Sequence, residues 1–204
     1  MNAPLYIKPK NSGTKQLFQH PVLERLTRTH IAVPISLFVT IAIVLVYYGA
    51  TYTDLSIGQL MGLFFTGVVV FSFVEYNVHR YVFHMATDTP RKAKIQYTMH
   101  GVHHEYPKDK SRLAMPPVLS FTIAVILAGI LYFLMGKYMF GFLPGFLVGY
   151  SAYLFIHYAV HAFAPPKNFL KILWIHHGIH HYKDANKAFG VSSPLWDWVF
   201  RTMP

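Results

Sequence analysis

Eleven of the thirteen histidines in this chain stand in four short motifs. Neutral imidazole is a common ligand of iron, zinc and copper, so the motifs point first to metal chemistry. His79 and His84 form a His-x4-His pair, and His100, His103 and His104 a His-x2-His-His triplet. His157 and His161 form a His-x3-His pair; His177, His180 and His181 repeat the triplet, with His176 directly before it. Residues three and four apart share a helix face, so each triplet, and the His157/His161 pair, can point one way. His79 and His84 are five apart, about 140° around an ideal α-helix. That pair needs a helix end, or one ligand from each side of a site. Ten ligands are too many for one ion, and two ions with about five each is the natural division. His176 is set aside because His177 already completes its motif. His20 and His30 read as interfacial, hydrogen-bonding residues.

The rest of the composition narrows the donor set. Only eight residues are acidic, whereas soluble di-metal carboxylate proteins build on Glu and Glu-x-x-His motifs. An all-histidine ligand set is therefore expected. Glu75, one turn before His79, is a candidate to orient a ligand from behind, and Asp184 and Asp197 are similar candidates. Their plainer roles would be helix caps or surface charges. The absence of cysteine excludes disulfides, thiolate zinc sites, cysteine-ligated clusters and a cysteine nucleophile.

The elements that must carry these motifs are apolar helices. Hydrophobic residues make up 53% of the 204, and charged residues 13%, against about 25% in a soluble domain. Four stretches approach the ~20 apolar residues of a spanning helix: about Ile31 to Ala50, Ile57 to Val78, Pro117 to Met135 and Tyr138 to Ile156. Gly136-Lys137 breaks the last two into a helical hairpin. The net charge of +10 suits anionic headgroups better than nucleic acid, because long apolar runs separate the basic residues. Of the 18 Lys and Arg, all but Lys137 lie in the N-terminal arm, in 80–115 or in 163–204. The positive-inside rule makes those segments cytoplasmic, with both termini and all four histidine motifs at that face. The expected architecture is all-α: a basic arm over residues 1–30, partly disordered or interfacial and without a signal-peptide pattern, and a single membrane domain over 31–204. Residues 167–175 read as an amphipathic helix on the membrane surface.

In order and spacing, the histidine motifs resemble the membrane-bound fatty acid hydroxylase and sterol desaturase superfamily. The fatty acid 2-hydroxylase branch is the nearest likeness. It is carried by Asp109-Lys-Ser-Arg-Leu-Ala-Met-Pro-Pro117 after the second motif, and by Tyr182-Lys-Asp184, Phe189-Gly-Val-Ser-Ser and Leu195-Trp-Asp-Trp-Val-Phe200 after the fourth. The resemblance covers roughly residues 60 to 203. It implies four transmembrane helices under a cytoplasmic helical cap, with two metal ions between them. The implied ligands are His79, His84, His100, His103, His104, His157, His161, His177, His180 and His181. It also implies iron and dioxygen, with zinc able to fill the site in purified samples, and hydroxylation at carbon two of a fatty acyl chain, free or lipid-linked. Members of this branch often carry a fused haem domain of cytochrome b5 type. No His-Pro-Gly-Gly haem motif occurs here, so electrons are expected from a separate donor, cytochrome b5-like or a ferredoxin with its reductase.

An unactivated C–H bond is beyond side-chain acid–base chemistry, which agrees with a redox metal and dioxygen. An acyl substrate needs an apolar slot and a polar clamp for its head. Lys108, Arg112, Tyr158 and Tyr182 are the headgroup candidates, set against simple snorkelling and an interfacial aromatic belt. Two other functions compete: a sterol or carotenoid oxidase or desaturase of the same superfamily, and a membrane metal transporter. A transporter would place its polar ligands near the bilayer midplane, whereas these crowd one face.

Overall fold

The structure is a computed structural model that describes residues 7–204. It is all-helical, with no strand among the described residues. A short helix α1 (Pro21–Leu26) precedes two long ones, α2 (Ala32–Tyr52) and α3 (Ile57–Asn77). Then come α4 (Pro90–Gln96) and α5 (Val102–Glu105), the hairpin α6 (Pro117–Met135) and α7 (Met139–Ala162), and finally α8 (Lys171–Tyr182) and α9 (Leu195–Val199). Three helical stretches are long and apolar enough to cross a membrane: Ala32–Tyr52, Ile57–Phe83 and Lys110–Ala162. The last holds both α6 and α7, separated at Gly136.

Local chemistry sets these boundaries. Ser56 opens α3 with a capping box, accepting from the Gln59 N–H while the Gln59 side chain accepts from the Ser56 N–H at 2.9 Å. Pro117 starts α6 at a position where no N–H is needed. Gly136, at φ +55°, ends it in a conformation that favours glycine. Lys137 in that turn pairs with Asp54 at 2.5 Å. The turns after α2 and α6 therefore lie at one end of the bundle. The C-terminal ends of α3 and α7, which carry the first and third histidine motifs, lie at the other.

The axis of the bundle is the crossing of α3 and α7. Gly141, Gly145 and Gly149 repeat every four residues, a spacing that lets two apolar helices approach backbone to backbone. A Cβ on Gly145 would stand 1.9 Å from the Phe64 carbonyl oxygen, and one on Gly67 would stand 2.1 Å from that of Phe142. On another side of α7, Met139, Leu143 and Leu147 pack with Phe38 of α2 as a buried cluster. α6 is peripheral: its only buried residue is Ser120, and Phe133 is 88% exposed.

Gly145→Val should destabilise the α3–α7 crossing by at least the ~1–3 kcal/mol typical of overpacking, and thereby displace His79 from His157. The control is Gly62→Val on the partner helix α3, where a Cβ meets nothing within 4 Å. Thermal unfolding in detergent should show a lower midpoint for Gly145→Val only; equal midpoints would refute the close-crossing role.

Candidate metal centre

The ten histidines meet as two groups of five, and within each group one ring nitrogen per residue lies within 4.8 Å of the others. The first group is His79, His84, His100, His104 and His180; the second is His103, His157, His161, His177 and His181. Each His-x2-His-His triplet is thus divided. The pair four apart goes to one group and the remaining histidine to the other, so both groups are tied to the same two helical segments. The groups share a wall, where the His104 and His181 rings stack at 4.3 Å between centroids.

The five-residue spacing of His79 and His84 is met by backbone geometry. Residues Val78–Phe83 form a π-helical turn, and the His84 N–H donates to the His79 carbonyl at 3.1 Å. Bonding five residues apart widens the turn, which brings both rings into one group. A second π-helical segment, Tyr97–Gly101, leads into the next triplet.

The donor set fits metal ions. Nε2 atoms converge in pairs at 2.8–3.0 Å: His79 with His100, His100 with His104, His84 with His180, His103 with His157, and His161 with His177. His79 Nδ1–H donates to the Phe189 carbonyl at 2.5 Å and His180 Nδ1–H to that of Lys187 at 2.7 Å. A carbonyl only accepts, so on these two rings Nε2 carries the lone pair and faces the group, the arrangement a metal-ligating histidine requires. His181 has no hydrogen-bond partner at either ring nitrogen, although it is buried. Burial, with the neighbouring imidazoles adding to it, holds His100, His103, His104, His177, His180 and His181 well below the ordinary imidazole value. They are neutral, as ligands must be. A cavity of about 110 Å³ reaches the shared wall, lined among others by His84, His104, His181, Gln96 and Asn186.

The three acidic candidates have distinct places. Glu75 is buried and its hydrogen bonds go to the loop rather than to a histidine: it accepts from the Val191 and Ser192 N–H groups at 2.8 and 2.9 Å and from the Ser192 hydroxyl. Asp197, fully buried, accepts from the Phe189 and Gly190 N–H groups at 2.9 and 2.7 Å. Asp184 caps the turn after α8, accepting from the Asn186 N–H. His176, set aside from the ligand set, is buried and lies 2.9 Å from Asp197 through Nε2. Burial pushes the Asp197 carboxyl up, but bonds from His176, Thr202, Gly190 and Phe189 outweigh it and hold it below the ordinary carboxylate value. Sequence reasoning missed that His176 anchors this carboxylate. Its only signal was an adjacent histidine pair, which puts the two rings about 100° apart around α8.

The headgroup candidates are less uniform. Lys108 is exposed and donates to the His161 carbonyl at 3.1 Å. Tyr158 packs beside the buried cluster of Ile31, Ala114 and Leu154. Tyr182 donates to Asn11 in the arm. Arg112 is buried and committed to the arm, donating to Glu24 at 2.5 Å, Thr27 at 2.5 Å and the Lys15 carbonyl at 2.7 Å. The arm from residue 7 is therefore not loose: Lys10 N–H also bonds the Glu105 carbonyl, and Thr29 N–H that of Ser111.

Comparison with known proteins agrees with this geometry. The fatty acid hydroxylase family model matches residues 64–202. The chain belongs to that family. Among its relatives are fatty acid 2-hydroxylase of Rattus norvegicus, 35% identical over 147 residues, covering 70% of this chain and 40% of the relative, and the ceramide very long chain fatty acid hydroxylase scs7 of Schizosaccharomyces pombe, 34% identical over 200 residues, covering 95% and 56%. A dihydroceramide fatty acyl 2-hydroxylase of Arabidopsis thaliana is 35% identical over 139 residues, covering 68% and 59%. The chain spans about half the length of these relatives. A solved structure of full-length scs7p, in which only the hydroxylase domain is visible, superimposes with a TM-score of 0.86 at 30% identity, covering 95% of this chain and 73% of that one. Membership of the fatty acid hydroxylase family, together with the long apolar helices, marks this as a membrane protein, and its two histidine groups could each hold a metal ion.

The arm contact carries a pH dependence. Burial pushes the Glu24 carboxyl up, but the Leu17 and Phe18 N–H groups, Arg28 and Arg112 more than offset this and hold it at about 2, below its ordinary 4.5. A released arm binds that proton more readily, so docking is at full strength above pH 4.5 and weakens as pH falls toward 2. Limited proteolysis should find residues 7–30 protected at neutral pH and increasingly cleaved below 4.5. Glu24→Gln should be cleaved faster at neutral pH; protection that ignores both changes would contradict the docking role.

Proposed function

We propose that this chain is a membrane-bound, di-iron, dioxygen-dependent enzyme that hydroxylates carbon two of a fatty acyl chain, free or lipid-linked. The observation that carries this reading is the pair of adjoining five-histidine groups. The names of the relatives, fatty acid 2-hydroxylase and dihydroceramide fatty acyl 2-hydroxylase, support the substrate and position. Iron, when bound there, supplies the redox chemistry with dioxygen that an unactivated C–H bond demands. The ten histidines are its ligands, and zinc can take the same nitrogens in a purified sample.

The chain's own residues do the rest. Burial of the histidines keeps their nitrogens neutral and the centre dry. Phe189 and Lys187 carbonyls hold two of the rings in register. Glu75 and Asp197 support the loop that offers those carbonyls, and Asp184 shapes the turn before it. In this reading α2, α3, α6 and α7 each cross the bilayer, and α4, α5, α8 and α9 form the cap at the cytoplasmic face with both termini. The basic residues around the cap support that orientation. Residues 1–30 act as an arm over a single domain of 31–204. Lys108 and Tyr158 are the first choice for contact with the substrate's head, with Arg112 and Tyr182 reaching it only if the arm moves. Electrons come from a separate donor, cytochrome b5-like or a ferredoxin with its reductase.

Expression in an aerobic host, followed by mass spectrometry of hydrolysed fatty acids, tests the reading. A 2-hydroxy acid should accumulate and should disappear in the His180→Ala variant. If purified, iron-loaded and chemically reduced protein also leaves acyl substrates unchanged, the fatty acid hydroxylase reading fails.

A further inference from the structure

Two peptide units in the loop after α8 each face two ways. In a trans peptide the N–H and C=O point in opposite directions within one plane, and no peptide bond among the described residues is cis. The Phe189–Gly190 unit gives its carbonyl to His79 Nδ1–H at 2.5 Å and its N–H to Asp197 Oδ2 at 2.7 Å. The Lys187–Ala188 unit gives its carbonyl to His180 Nδ1–H at 2.7 Å and its N–H to the Thr202 carbonyl at 2.9 Å. Thr202 is in turn held by Asp197: its hydroxyl donates to Oδ1 at 2.7 Å and its N–H to the Asp197 carbonyl at 2.8 Å. Both units therefore lead back to one fully buried carboxylate. Ala188 sits at φ +57°, a left-handed conformation that a non-glycine residue keeps only when its surroundings impose it.

Both histidines reached by this relay belong to the same group of five. In the other group, His103, His177 and His181 have no hydrogen-bond partner at Nδ1. The relay that ends on Asp197 reaches the first group only.

We infer that Asp197 is a positioning residue that fixes, through these two peptide units, the orientation and proton position of His79 and His180, and so sets the metal affinity of one site and not the other. His176 is the counterpart that keeps Asp197 in place, at 2.9 Å. This rests on the two-metal reading above. Partners behind a metal-ligating histidine are typically worth about 10–100-fold in metal affinity, so the loss of Asp197 should weaken one site by that factor and leave its neighbour unchanged.

The test is metal content and affinity of the full chain in detergent, titrated with ferrous or cobaltous ion against a competing chelator. The wild-type chain should bind two ions. Asp197→Asn should bind one ion normally and the second about 10–100-fold more weakly. Adding His180→Ala to Asp197→Asn should affect only the site already weakened and leave the other ion bound normally. Adding His177→Ala, from the other group, should weaken the other site as well. Thr202→Val, which replaces the hydroxyl with a methyl group, should weaken the same site as Asp197→Asn to a smaller degree, and it decides the matter if Asp197→Asn fails to fold. Two ions at wild-type affinity in both variants, or equal weakening of the two sites, would overturn the inference. A wild-type chain that binds fewer than two ions would instead overturn the two-metal reading.

Discussion

Ten imidazole rings crowd into two adjoining groups, with Nε2 atoms facing one another in pairs. Nitrogens that approach to 2.8–3.0 Å are reconciled either by a neutral tautomer that places its N–H between them or by a cation held there. Burial disfavours the third route, a charged ring away from water. The remainder of the fold is arranged so that the rings cannot avoid this close approach. The glycine stripe brings α7 against α3, which sets the His157/His161 pair beside the His79/His84 turn. The Phe189 and Lys187 carbonyls decide which nitrogen of two rings faces inward.

The division of each triplet has a physical consequence. Because His100 and His104 serve one group and His103 the other, and because His177 and His181 serve one group and His180 the other, neither site can be distorted alone by moving a helix. The sites are coupled through rigid segments and through the stacked His104 and His181 rings. Independence enters only from behind the rings, where the hydrogen-bonding partners of the two groups differ.

Much of this was legible in the sequence, and the reasons are specific. Pro117 and Gly136 mark helix ends through fixed backbone preferences, and Gly136 does end α6 where expected. The four histidine motifs were readable because chance does not place eleven rings at helical spacings. The partition of the triplets was not readable: residues three and four apart do share a face, but two neighbouring sites can divide one face between them, and only tertiary placement decides how. The π-helical turn at Val78–Phe83 was foreshadowed by a spacing of five that an α-helix could not satisfy. The repeat of Gly141, Gly145 and Gly149 was present and unread, although its period of four is the mark of a close helix crossing. Arg112 illustrates the opposite limit. A basic residue near a headgroup region has an obvious use, but a buried partner such as Glu24, 88 positions away in sequence, has no local signature.

The function of the histidine centre turns on whether it delivers oxygen from dioxygen to an acyl carbon. The direct measurement is turnover of the purified, iron-loaded chain with a chemical reductant, a fatty acyl substrate and isotopically heavy dioxygen, followed by mass spectrometry of the product. One heavy oxygen atom in a hydroxyl at carbon two, absent without iron, is the result expected. A hydroxyl carrying oxygen from water, or no hydroxylated product from a chain shown to hold both irons, would contradict it.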